Sequence, residues 1–158
     1  MAGRADVLDL VTESRMGDPR YVWWASSLGG TPVSTAAGVA TLAELRAPGT
    51  YTRLFALGER LRAGLREVLA ARGVAAHVQG DGPLAAVVFT PGEVVDYRSA
   101  FEADRARARA FLLGLFRRGI FLNPMSTKLY LSLAHTEAHV ARLLDAADAA
   151  LGDAPAGR

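Results

Sequence analysis

The chain contains no cysteine, which removes both a disulfide framework and thiol chemistry. Lysine is almost missing as well: Lys128 is the single one among 158 residues. No apolar run approaches membrane-spanning length, and the N-terminus lacks the basic-then-apolar pattern of a secretion signal. Neither sign of charge dominates, since 18 Lys and Arg face 16 Asp and Glu for a net charge of +2. Arg105, Arg107 and Arg109 cluster, but Glu102 and Asp104 stand beside them, so the basic face that nucleic acid requires is not formed. Histidine is scarce too. His135 and His139 are four apart, yet Glu137 is out of register for a helical zinc motif, and no metal site is expected. These absences predict a cytoplasmic protein with no nucleic-acid or membrane partner.

What is present suffices for a core. Hydrophobic residues make up 51% and charged residues 22%, a balance that argues for folding rather than disorder. The length suits one domain, or one small domain plus a piece of another.

Periodicity gives the elements. Val7, Leu8 and Val11 predict a short helix over 5–12. Residues 13–31 read as loop, with Tyr21, Val22, Trp23 and Trp24 expected to pack in a core or an interface. A helix is predicted from Pro32 to about Ala47, where Pro48 and Gly49 break it. A longer helix follows over 50–72, its buried stripe formed by Leu54, Leu57, Leu61, Leu65 and Val68, with Arg60, Arg62, Arg66 and Glu67 off that stripe. Strands are predicted over 74–79 and 84–90, with a Gly80-Asp81-Gly82 turn between them, and 91–99 as loop. A third helix is predicted over 101–118, with Phe101, Phe111, Leu112 and Leu115 on its apolar face. Two strands, 120–122 and 128–133, lead to a last helix capped by Thr136, which buries Val140, Leu143, Leu144, Ala147 and Leu151. The fold class that follows is α+β: a small, mostly antiparallel sheet with helices packed on one face.

The run Ser26, Ser27, Leu28, Gly29, Gly30, Thr31, Pro32 carries the chemistry. Two glycines let the backbone approach a ligand. Thr31 can cap a helix, and Pro32 suits its first turn. The unpaired N–H groups of a helix start, with nearby hydroxyls, form a seat for an anion, most simply the phosphate of a cofactor. The competing account is a glycine-rich turn with a helix cap and no ligand. Elsewhere Glu93, Asp96, Glu102 and Asp104 read as a solvated loop and helix face. No nucleophile, base and orienting acid come together.

Three stretches, in this order, resemble class-III pyridoxal-phosphate aminotransferases, the family that includes the glutamate-1-semialdehyde aminomutases. Residues Gly3 to Asp9 are similar to the family's segment just after its cofactor lysine. Ser26 to Pro32 is similar to its Ser-Thr-Leu-Ser-Gly-Asn-Pro type of segment. Arg118 to Pro124, with Leu131 to Thr136, is similar to its C-terminal signature. The resemblance implies the family's fold-type-I small domain and pyridoxal 5'-phosphate as cofactor. It implies a homodimer joined around Trp23 to Ala37, and an amino acid or keto acid as substrate. Ser27 matches the threonine whose hydroxyl contacts the cofactor phosphate of the neighbouring subunit, with Ser26 beside it, and Thr31 replaces the usual asparagine.

The resemblance also implies what this stretch does not supply. The family holds its cofactor as a Schiff base on a lysine upstream of the Gly-Arg segment, and Lys128 does not match it. The chain is therefore expected to be the C-terminal portion of such an enzyme, with no catalytic residue of its own and no activity alone. The expected division is 1–31 from the large cofactor domain, 32–47 a connecting helix, 48–152 the small domain and 153–158 a frayed tail. Ser126, Thr127 and Lys128 stand where the aminomutase pattern is longer and carries a glutamate, which leaves aminomutase and aminotransferase both open. The alternative from another class is a non-catalytic α+β dimerisation or binding module.

Overall fold

The computed structural model describes residues 3–23, 27–123 and 127–153. The chain divides into two compact units, Met1–Arg46 and Ala47–Arg158.

In the first unit, helix α1 (Ala5–Leu8) runs into a 3-10 turn over Asp9–Val11, and a second such turn covers Glu13–Arg15. Arg15 ties these turns together by pairing with Asp9 and with Asp18. Asp18 also accepts from the side chain and the backbone N–H of Arg20, which holds its carboxyl down to about 2. Helix α2 (Pro32–Arg46) buries none of its residues. Of the two roles expected for the aromatic stretch, core or interface packing, the first is not found for Val22 and Trp23, since Trp23 is 75% exposed and Val22 is exposed as well. Trp24 lies outside the described residues.

The second unit is the α+β core. Helix α3 (Thr50–Ala71) presents Leu57, Leu61, Leu65 and Leu69 to strands β1 (His77–Gln79) and β2 (Leu84–Val88) and to helix α6 (Glu137–Asp153). A third strand, β3 (Lys128–Tyr130), completes a sheet of order β1-β2-β3, antiparallel throughout. His77 pairs with Val88 in one ladder, and Ala85 with Leu129 in the other. Period-two alternation turns Ala85, Val87 and Phe89 inward, as a one-sided sheet requires. Phe89 meets Phe111 of helix α5 (Arg105–Arg117) edge-on at 5.5 Å. Helix α6 closes the core against α3 and α5 through Val140, Ala147, Ala150 and Leu151. Among the described residues, no helix is long and apolar enough to cross a membrane.

The sheet has three strands, not the four expected. Residues 120–122 are not a strand, because the Ile120 N–H is spent on the Leu115 carbonyl at 3.0 Å as α5 ends, and among the described residues no strand pairs with them. The expected loop 91–99 ends in a short helix, α4 (Tyr97–Phe101). It is fixed by a capping box in which Ser99 N–H donates to Asp96 Oδ1 at 2.8 Å and Asp96 N–H donates to Ser99 Oγ. Helix α5 starts four residues later than expected, at the point where Asp104 accepts from Arg107 N–H. Arg62 also departs from expectation: it is 5% exposed and faces inward rather than lying off the stripe. Its guanidinium donates to the carbonyls of Gly82 at 2.7 Å and Leu84 at 2.9 Å, and pairs with Glu59.

A surface fork joins α3 to α6. Arg72 donates through Nε and Nη2 to both oxygens of Asp148, at 2.7 and 2.6 Å. The Arg72 bond holds the Asp148 carboxyl below its ordinary value of 3.8. A depressed carboxyl adds stability above its unfolded value and loses it as pH falls through the folded one. Asp148→Asn should therefore lower the thermal midpoint modestly at pH 7. The gap between variant and parent should close as pH drops through the carboxylate range. A gap that stays constant down to pH 2 would refute a role for this ion pair.

Candidate functional site

Residues 27–30 form a bend and a turn that deliver the chain into α2. Gly30 has φ +81°, a conformation that suits glycine and that other residues adopt at a cost. Thr31 then sets the helix start. Its Oγ1 accepts from Ser34 N–H at 3.4 Å and lies 2.9 Å from Ser34 Oγ, while its carbonyl accepts from Thr35 N–H at 3.0 Å. Pro32 has no N–H to leave open. Among the described residues, the Val33 N–H is therefore the unspent backbone donor of this first turn. Ser27 is exposed, and its hydroxyl makes no bond to any described residue. Ser26, the second residue singled out for the phosphate, lies outside the described residues.

These groups fit one part of pyridoxal phosphate. An open helix-start N–H, a free hydroxyl and a glycine turn suit a phosphate dianion. No cationic side chain belongs to 27–35, so an anion placed here would meet only hydrogen-bond donors and the helix dipole from this segment. Lys128 is exposed at the start of β3, in the other unit.

The histidine pair is built differently from a metal centre. His135 Nδ1 accepts from Ser132 N–H at 3.0 Å, and His139 Nδ1 accepts from Thr136 N–H at 3.2 Å. An acceptor Nδ1 puts the proton of the neutral ring on Nε2, which removes the lone pair a metal would need. Among the described residues, no group of three metal-ligating side chains occurs. The two rings stand edge to face with centroids 6.0 Å apart. They serve the turn that leads from β3 into α6. The carboxylates named as possible acid pairs are structural as far as they are bound: Asp96 and Asp104 cap helices.

The chain, with its sheet of three antiparallel strands backed by α3, α5 and α6, superimposes on about a third of the length of solved transaminases. An ω-transaminase from Sphaerobacter thermophilus matches over 96% of this chain and 34% of its own, with a TM-score of 0.77 at 32% identity. A transaminase with PLP bound matches over the same shares, with a TM-score of 0.71 at 29% identity. In sequence, the glutamate-1-semialdehyde 2,1-aminomutase of Desulforudis audaxviator (strain MP104C) is 35% identical over 149 residues, which are 94% of this chain and 33% of that protein. No protein-family model matches the chain. The chain spans about a third of the length of the curated relatives it matches. It belongs to the class-III pyridoxal-phosphate aminotransferase family and corresponds to the C-terminal part of its members.

Proposed function

We propose that this chain acts as the C-terminal part of a pyridoxal-phosphate aminotransferase or aminomutase. In that role it contributes a phosphate contact across a subunit boundary and one wall of the cleft for an amino acid or keto acid. The observation that carries the phosphate role is the start of α2, where Ser27 and the Val33 N–H have no partner among the described residues beside the Gly30 turn. Bound pyridoxal phosphate supplies the electron sink that lets an amino group pass between an amine and a carbonyl. Ser27 donates its hydroxyl to the phosphate, with Ser26 beside it, and the helix start adds its N–H and partial positive charge. Residues 1–31 belong with the cofactor domain, 32–47 connect, and 48–152 form the small domain. Self-association runs through the region from Trp23 to Ala37, supported by the exposure of Trp23 and Val33 and by an α2 that buries nothing.

A chimera tests this reading. The chain replaces the matching C-terminal third of the Desulforudis audaxviator aminomutase. The chimera should fold, dimerise and retain pyridoxal phosphate. Within it, Ser27→Ala should weaken the cofactor by about tenfold, the loss of one charge-assisted hydrogen bond. Binding of pyridoxal, which lacks the phosphate, should not change. An equal loss for both compounds, or none for either, would remove Ser27 from the phosphate site.

A further inference from the structure

A cleft of about 340 Å³ opens between residues 119–122, just past α5, and the first two turns of α6. It lies wholly within the Ala47–Arg158 unit. Its apolar walls are Ile120, Leu122 and Leu143, each half-buried against the core. Its polar groups are His135, His139 and Arg142, and no carboxylate is among its lining residues.

Each of the three polar groups has unspent donors. The Nδ1 atoms of both histidines accept backbone N–H groups, so each neutral ring keeps its Nε2–H, and neither Nε2 has a partner among the described residues. Arg142 makes no ion pair and no hydrogen bond with any described residue, whereas Arg53, Arg60, Arg72 and Arg118 are all engaged. Its guanidinium occupies the space beside Gly119, where an added Cβ would stand 3.1 Å from Arg142 Nη2. His139 and Arg142 are three apart on α6 and thus neighbours on one face.

We infer that this cleft binds a small carboxylate with a compact branched apolar body. The planar fork of Arg142 suits a carboxylate in two-point contact. The two Nε2–H groups complete the donor set, and Ile120, Leu122 and Leu143 take the body. The volume is at the small end of ligand cavities, which run from about 300 to 1,000 Å³. The acids nearest in sequence do not compete from the cleft: Glu137 is held by Arg60, and Asp145 lies outside the lining.

Calorimetric and NMR titration of the 158-residue chain tests this, with 4-methylpentanoate, its uncharged amide, acetate and inorganic phosphate as probes. 4-Methylpentanoate should bind and shift the amides of 119–122 and 135–143. The amide and acetate should each bind at least about tenfold more weakly, since one lacks the charge and the other the body. Arg142→Gln should weaken 4-methylpentanoate by about tenfold, while Arg98→Gln, which removes a charge elsewhere on this unit, should leave it unchanged. Arg142 is exposed, and a circular dichroism spectrum matching the parent's confirms that the variant folds. No binding by 4-methylpentanoate, equal binding by the amide, tighter binding by phosphate, or an unchanged affinity in Arg142→Gln would each overturn the assignment.

Discussion

Arg62→Met should lower the stability of this chain by about 3 kcal/mol, or the thermal midpoint by about 10 °C. Methionine retains the apolar stem and much of the volume, so the loss isolates the guanidinium. That group donates to the Gly82 carbonyl of the β1–β2 turn, which is buried, and to the Leu84 carbonyl at the start of β2. With the donor removed, a buried carbonyl has no partner, at a cost of about 1–3 kcal/mol on top of the lost charge-assisted bond. Replacing a buried ion pair by an apolar side chain is often neutral, because it relieves desolvation on both partners. Here the partner Glu59 is 60% exposed in its side chain, so little desolvation is relieved on that side, and the stranded carbonyl decides the sign. Arg66→Met is the comparison. Arg66 is half-exposed and, among the described residues, its ion-pair partner is Glu59, so its loss should stay below about 0.5 kcal/mol. Thermal and urea unfolding of the two variants side by side gives the answer. Equal effects would mean that Arg62 contributes only a surface charge.

The reach of the sequence, and its limit, show in these same residues. Helices α2, α3 and α6 could be read directly, because a 3.6-residue apolar stripe or a Gly/Pro boundary marks each one. The hairpin of β1 and β2 was equally readable from Gly80-Asp81-Gly82 between apolar runs. Helix α4 could not be found that way, since five residues show no periodicity and the Asp96/Ser99 caps alone define it. Residues 120–122 carry strand-forming side chains but lack a partner strand, and pairing is a tertiary fact. Arg62 is misplaced by pattern for a similar reason: its burial depends on carbonyls some 20 residues away. The turn and helix start at α2 were legible because glycines, a capping threonine and a proline are contiguous there. The cleft beneath Arg142 was not, since it joins residues 119–122 to α6 only after the chain has folded.

Gly58→Ala should destabilise the chain by about 3 kcal/mol, against the usual direction for a glycine in mid-helix. At an open helical position the substitution gains about 1 kcal/mol from helix propensity. Gly58 is not open: a Cβ there would stand 1.9 Å from the Gly82 carbonyl oxygen and 3.1 Å from Pro83 Cα. Those atoms are backbone, so no rotamer change can relieve the overlap, and the turn itself must move. The displaced carbonyl is the one that Arg62 holds at 2.7 Å. Gly58 and Arg62 are four apart on α3 and form a single seat for the turn, one by lacking a side chain and the other by supplying a donor. The two losses should therefore overlap. In a double-mutant cycle, Gly58→Ala combined with Arg62→Met should cost at least 1 kcal/mol less than the sum of the single changes, about the size expected for groups sharing one partner. Strict additivity would show that the turn accommodates the new methyl without releasing Arg62, and that the two residues act on it separately.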